Sequence, residues 1–173
     1  MKKLFNKLSK KYQNEDKDFI IHRNYKISFK ELFDSNSSIL KNISEGSVVA
    51  IIGDFNTLTI NLLIRLIDLK AIIVPLTNEN QSNHSYFFEE ACVNFVIEDS
   101  KITELKHTKK NLLLEKFRTT KSPGIVFFSS GTTGRPKAIL HDLNIFLKRY
   151  SNPRPAYKTL NFLLFDHIGG LNT

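Results

Sequence analysis

At 173 residues with 41% hydrophobic side chains, the chain can bury a core of ordinary domain size, which excludes an intrinsically disordered protein. Its formal net charge of +8 is spread along the whole length and forms no basic cluster interleaved with aromatics, so no nucleic acid partner is expected, while anionic small molecules would profit from the same field. Cys92 is the only cysteine, which excludes an intrachain disulfide and a cysteine-based metal cluster and suits the cytoplasm; the longest apolar runs, at residues 47–53 and 71–76, fall short of the roughly 18 that cross a bilayer, so no membrane span is expected.

Residues 1–17 read as a basic N-terminal extension. Leu4, Phe5, Leu8 and Tyr12 share one side of a helix, with Lys2, Lys3, Lys7, Lys10 and Lys11 over much of the rest, and the apolar stretch of a signal peptide is missing. This pattern suits a membrane-surface or docking helix, and more readily a solvated first helix or a frayed end. "DFIIH" and "YKISF" then read as short strands around the turn at Arg23-Asn24. Ser28 with Glu31 forms a capping box that opens a helix through "FKELFDSNSSILKNI".

"SVVAIIG" is a buried strand, and Asn56 or Thr57 opens the helix "LTINLLIRLIDLK", apolar on most sides and therefore deeply packed. "AIIVPL" is the next strand, expected to end at Pro75; Asn83 or Ser85 starts a helix through "YFFEEA", and "NFVIED" is a third strand. Uninterrupted apolar strands alternating with helices predict an α/β fold: a layered, largely parallel sheet with flanking helices. Residues 101–122 read as a short helix or strand plus a connection. Beyond residue 137 come a strand "KAILHD", a helix "LNIFLKRY", the turn-rich "SNPRPAYK", a strand "TLNFLLF" and the closing "DHIGGLNT". His22, His84, His107 and His141 show no ligand spacing and read as surface or strand-end residues, and no metal ligands are assigned.

Between "GIVFF" and "KAILHD" lies the loop "SSGTTGRPK". Ser129, Ser130, Thr132 and Thr133 offer hydroxyls, Gly131 and Gly134 admit close approach of backbone amides to a ligand, and Lys137 adds a positive charge. That set suits a polyphosphate; the bland alternative is a flexible hairpin loop without a ligand. A Walker loop is disfavoured, because Arg135 and Pro136 separate Gly134 from Lys137 and a strand follows where a Walker helix would begin.

The ordered string "SSGTTGRPK" resembles the phosphate-binding signature of the adenylate-forming superfamily, which contains acyl- and aryl-CoA synthetases, nonribosomal peptide adenylation domains and luciferases. "LNFLLFDHIGGLN" resembles that family's next motif, beside the acyl pocket, and the layout of residues 28–80 is similar to its N-terminal region. The resemblance implies an AMP-forming ligase in which a carboxylate attacks the α-phosphorus of ATP, pyrophosphate leaves, and the acyl group passes to CoA or a phosphopantetheine thiol. Ser129, Ser130, Gly131, Thr132, Thr133, Gly134 and Lys137 would hold the β- and γ-phosphates, with Mg²⁺ near a threonine hydroxyl. Arg135 and Pro136 would shape the loop. His167 would stand where the acyl and nucleotide pockets meet, steering the carboxylate or gating the pocket, or else be a half-buried histidine bonded to backbone. Gly169 and Gly170 would keep bulk from a ligand or permit a turn, and Phe165 would line the acyl side or the core.

The resemblance covers residues 18–173, read as a partial AMP-binding domain and so an incomplete N-terminal domain of that fold, with exposed apolar surface. Ala138 stands where the family commonly has glycine, and the family's later motifs, which supply a Mg²⁺ glutamate, a ribose aspartate, the adenine site and a mobile lysine, fall outside this sequence. Three readings follow: the N-terminal part of an acyl-adenylating ligase that needs a second polypeptide and is inactive alone; a truncated, non-catalytic remnant that binds nucleotide or phosphate; and an interaction domain in which the loop is incidental.

Overall fold

The structure is a computed structural model that describes residues 4–12, 14–22, 25–34, 38–106, 110–129, 134–152 and 158–171. The basic helix α1 (Leu4–Tyr12) precedes an antiparallel pair, β1 (Asp18–His22) and β2 (Tyr25–Ser28). Ser28 opens α2 (Phe29–Asp34) through the expected capping box: Ser28 Oγ accepts from the Glu31 amide at 3.2 Å while Glu31 Oε2 accepts from the Ser28 amide at 2.8 Å. This helix is shorter than expected, and Ser38–Leu40 forms a separate 3-10 turn. The intervening sequence "DSNSS" is rich in side chains that compete with a helix for backbone hydrogen bonds.

There follow β3 (Val48–Ile52), α3 (Thr57–Asp68), β4 (Ile72–Leu76), a 3-10 run at Asn78–Asn83, α4 (His84–Glu90) and β5 (Phe95–Glu98). Next come β6 (Lys101–Glu104), α5 (Leu112–Arg118), β7 (Gly124–Phe128), β8 (Ala138–Asp142), α6 (Leu143–Lys148) and α7 (Ile168–Leu171). Residues 101–122 thus hold both a strand and a helix; β5 and β6 are joined at Asp99 and Ser100, whose φ of 45° and 65° fit a two-residue hairpin turn. Asn56 caps α3 reciprocally with Thr59.

The main sheet has six strands in the order β6-β5-β3-β4-β7-β8. The inner pairings β5-β3, β3-β4 and β4-β7 are parallel, and the edge strands β6 and β8 are antiparallel to their neighbours. Val49, Ile51, Ile73, Ile125 and Phe127 point to one face, where they pack with Leu62 and Leu66 of α3. Val48, Ala50, Ile52, Ile72, Val74 and Val126 point to the other, against Phe87 of α4 and Leu114 of α5. Burial on both faces is why these strands read as continuous apolar runs.

Pro75 does not end β4: it lies within the strand opposite Ile51. The Ile72 amide donates toward β3, to Ser47 O, so strand alternation turns position 75 toward β7, and that ladder is recorded only at Ile72 and Ile73. The missing N–H of Pro75 therefore breaks no ladder bond.

The first helix was expected to be solvated and is instead docked. Asp68 at the end of α3 accepts hydrogen bonds from the Leu4 and Phe5 amides at 2.6 and 2.8 Å, satisfying donors that a helix start leaves open. The Arg65 guanidinium lies 3.7 Å from the Phe5 ring centre, and Phe5 meets Phe33 edge-on. Phe5, Leu8 and Tyr12 pack on a third cluster of Leu32, Phe33 and Ile60, which explains why α3 is apolar on the side away from the sheet as well.

A second expectation fails at "TLNFLLF", which is not a strand. It joins neither open edge of the sheet, the free sides of β6 and β8. Asn161 supports the irregular path instead, its Nδ2 donating to Gly170 O at 3.1 Å and its Oδ1 accepting from the Leu163 amide at 3.1 Å. Leu160 and Phe162 are left exposed, as part of the apolar surface expected from the sequence. Among the described residues no helix is long and apolar enough to cross a membrane.

Gly124, at the start of β7, is tightly enclosed. A Cβ there would meet Phe117 Cε1 at 2.8 Å and Leu140 Cδ1 at 3.1 Å. Gly124→Ala is expected to lower stability by about 1–3 kcal/mol through overpacking, read from the midpoint of urea unfolding.

Candidate functional site

The site is laid out by the order of crossovers. β3 leads through α3, on the Val49 face, to β4 on one side of it; β4 leads through α4, on the Val48 face, back to β5 on the other side. Adjacent strands whose connections leave in opposite directions open a crevice at their carboxyl ends, where ligands of open α/β sheets bind. Gly53–Phe55 follows β3 there, Thr77–Asn80 follows β4, and the "SSGTTGRPK" loop leaves β7 next to β4.

The stem of that loop is built. The Ser129 amide donates to Lys137 O at 3.0 Å and the Lys137 amide donates to Ser129 Oγ at 3.2 Å, extending the β7-β8 ladder by one closed pair. Tyr86 Oη on α4 donates to Pro136 O at 2.9 Å, and the Arg135 guanidinium sits 5.4 Å from the Tyr86 ring centre. Arg135 and Pro136 are therefore both in contact with Tyr86. Phe128 stacks on Phe87, centroids 4.0 Å apart, fixing the end of β7 on α4.

Lys137 is exposed, and no carboxylate among the described residues forms an ion pair with it. Gly134 is exposed too, with open space where a Cβ would stand. Ser130, Gly131, Thr132 and Thr133 lie outside the described residues. Ala138 opens β8 opposite Phe128 and is not among the residues with positive φ, so the alanine in place of glycine costs the hairpin nothing.

The "FDHIGG" segment reaches the same edge. Phe165 is fully buried, edge-on to Phe55 at 5.5 Å, so it belongs to the core. Asp166 Oδ2 accepts from Asn80 Nδ2 at 2.7 Å and from Thr77 Oγ1 at 3.0 Å, fastening the segment to the end of β4. His167 is exposed, its Nδ1 accepting from the Gly169 amide at 3.0 Å as a cap for the single turn of α7. A Cβ on Gly170 would collide with Leu164 O and one on Gly169 would meet Leu163 Cδ1 at 2.5 Å, so both glycines serve close packing of the turn.

His84, read as a surface or strand-end residue, is buried, and its Nε2 donates to Thr77 O at 3.0 Å. His141 packs edge-on to Phe127 within β8. His107 and the side chain of His22 lie outside the described residues. Sequence reasoning missed Thr77, Asn80 and His84; the spacing of small polar residues just past a buried parallel strand was the available signal. Among the described residues no group of three or more histidine, cysteine or acidic side chains is placed to hold a metal ion.

The fold is shared with adenylate-forming enzymes. The chain superposes on the N-terminal subdomain of Klebsiella oxytoca NpsA, in complex with 3-hydroxyanthranilyl-AMSN, with TM-score 0.54 and 21% identity, covering 79% of this chain and 38% of that one. It superposes on o-succinylbenzoate CoA synthetase (MenE) from Bacillus subtilis, in complex with the acyl-adenylate intermediate OSB-AMP, with TM-score 0.63 and 14% identity, covering 96% and 50%. An artificially fused adenylation-PCP di-domain of NpsA and ThdA from K. oxytoca matches at TM-score 0.53 and 20% identity, covering 79% and 31%. No protein-family model and no curated protein matches the chain. The protein thus has the α/β fold of the N-terminal region of the adenylate-forming superfamily and spans half or less of the length of these structures.

Tyr86→Phe removes only the hydroxyl that holds Pro136. Loss of that bond is expected to cost about 0.5–1.5 kcal/mol locally, seen as faster hydrogen exchange at the Ser129 and Lys137 amides, with the exchange of β3 unchanged.

Proposed function

We propose that this chain supplies the phosphate-binding part of an ATP-dependent acyl-adenylating ligase, the class that joins a carboxylic acid to AMP and passes the acyl group to CoA or a phosphopantetheine thiol. The observation that supports it most is the string "SSGTTGRPK" in the loop leaving β7 at the carboxyl edge of the sheet, beside the crevice between β3 and β4.

In this reading Ser129, Ser130, Gly131, Thr132, Thr133, Gly134 and Lys137 bind the β- and γ-phosphates. The fit rests on charge: the segment between β7 and β8 contains no acidic residue, and the exposed Lys137 ammonium is available to a polyanion. Held hydroxyls and amides stabilise charge on phosphate oxygens without reorganising during reaction, and the protein's contribution is positioning and electrostatics. Thr132 or Thr133 would offer a hydroxyl to Mg²⁺ brought by the nucleotide, where the ion would help neutralise phosphate charge, since Mg²⁺ is ordinarily held through substrate phosphates rather than an all-protein cage. His167 contacts the acid or gates its pocket from the neighbouring strand end.

The remaining parts of such an enzyme come from chain outside these residues, on the same or a second polypeptide, and the reducing cytoplasm suits a single, buried cysteine, Cys92. These 173 residues are therefore expected to bind nucleotide weakly and to show no ATP–pyrophosphate exchange with carboxylic acids by themselves.

Isothermal titration with Mg-ATP tests the cradle. Lys137→Ala with Thr133→Ala is expected to weaken binding roughly tenfold or more, the loss of about 1.4 kcal/mol or more of charge-assisted contact. Equal binding by the double variant, or none by the unaltered chain, would leave the loop as a signature without a ligand. Exchange of labelled pyrophosphate into ATP by the 173 residues would overturn the expected lack of turnover.

A further inference from the structure

Thr77 uses both its hydroxyl and its carbonyl near the crevice. Its Oγ1 donates to Asp166 Oδ2 at 3.0 Å, and its carbonyl accepts from the Asn80 amide at 3.2 Å and from His84 Nε2 at 3.0 Å. Asn80 closes the ring by donating its Nδ2 to the same Asp166 oxygen at 2.7 Å. Thr77 is 3% and His84 7% exposed, so the bond between them is buried, and the two bonds to the half-buried Asp166 are partly shielded from water, where losing a partner costs more than at the surface. The partners lie 86 and 89 residues from Asp166, and the cluster is the polar tie between the "FDHIGG" segment and the parallel sheet.

What the tie fixes is the next residue. His167 Nδ1 accepts from the Gly169 amide, so in the neutral ring the proton resides on Nε2. Nε2 has no hydrogen-bond partner among the described residues, and the side chain is exposed. The turn therefore presents an N–H donor at the crevice, suited to an anionic oxygen, with its direction set by a cap and its place set by Asp166.

We propose that Asp166 is a positioning residue: with Thr77, Asn80 and His84 it forms a clasp that pins the α7 turn to the end of β4 and keeps His167 in the Nε2–H form toward a carboxylate or phosphate oxygen. This rests on the functional reading only for the identity of the ligand; the clasp itself is independent of it.

The test uses the unliganded 173-residue chain with labelled histidine. Ring ¹⁵N shifts report which nitrogen of His167 carries the proton, and hydrogen exchange reports the Gly169 and Leu171 amides. Asp166→Ala and the near-isosteric Thr77→Val are each expected to speed exchange at both amides about tenfold and to move His167 toward a mixture of tautomers. The double variant should be no worse than Asp166→Ala, and Asp166→Asn, which keeps an acceptor oxygen, should restore most of the wild-type signature. Should Asp166→Ala fail to fold, Thr77→Val decides alone. Unchanged ring shifts and exchange in Thr77→Val, or in a folded Asp166→Ala, overturn the clasp. Because no nucleotide is added, these outcomes are separate from Mg-ATP binding: a chain that shows the coupled loss but binds no ATP keeps the clasp and loses the ligase reading.

Discussion

The parallel pairing of β3 with β4 is the constraint on which the remainder depends. Val48↔Ile72 through Ile52↔Leu76 align five residues on each strand, each either fully buried or nearly so, with helices on both faces. Parallel strands require crossovers, and the two crossovers here leave in opposite directions onto opposite faces. That geometry brings Gly53–Phe55, Thr77–Asn80 and Ser129 to one edge, though they are far apart in sequence. It also explains the tolerance of Pro75, which sits where β4 has parted from β7.

Helix α4 connects the two halves of that edge. Its first turn carries His84, which holds the Thr77 carbonyl, and Tyr86, which holds the Pro136 carbonyl of the loop stem. Phe87, the next residue, is buried and stacked on Phe128. A short amphipathic helix thus grips both the strand end that carries the Asp166 tie and the hairpin that carries the hydroxyl-rich loop. Rigid support of this kind is what a loop needs if its amides and hydroxyls are to meet a charged ligand without being reordered on binding.

Much of this was legible beforehand. The alternating strands and helices, the Ser28–Glu31 capping box and the Asn56 cap of α3 follow from local periodicity and short-range chemistry, and the structure has them. The readings that failed depended on distant partners. "TLNFLLF" has the composition of a strand, but a strand exists only where a partner ladder forms, and this stretch pairs with neither edge of the sheet. The first helix reads as solvated because Asp68 and Phe33, which dock it, are not near it in sequence. His84 looks like a surface residue because its neighbours Asn83 and Ser85 are polar and exposed, while its own side chain turns inward to Thr77.

The sequence by itself determined the class of fold and the chemistry of the loop, because hydrophobic period and the order of small, hydroxyl and basic residues are properties of contiguous stretches. Only the tertiary structure decided that Asp166 reaches Thr77 and Asn80, that Phe165 is core against Phe55, and that His167 caps its own turn through Nδ1. Those outcomes depend on which strand ends the crossovers bring together, and a carboxylate bonded to residues 86 and 89 positions away leaves no local pattern to read.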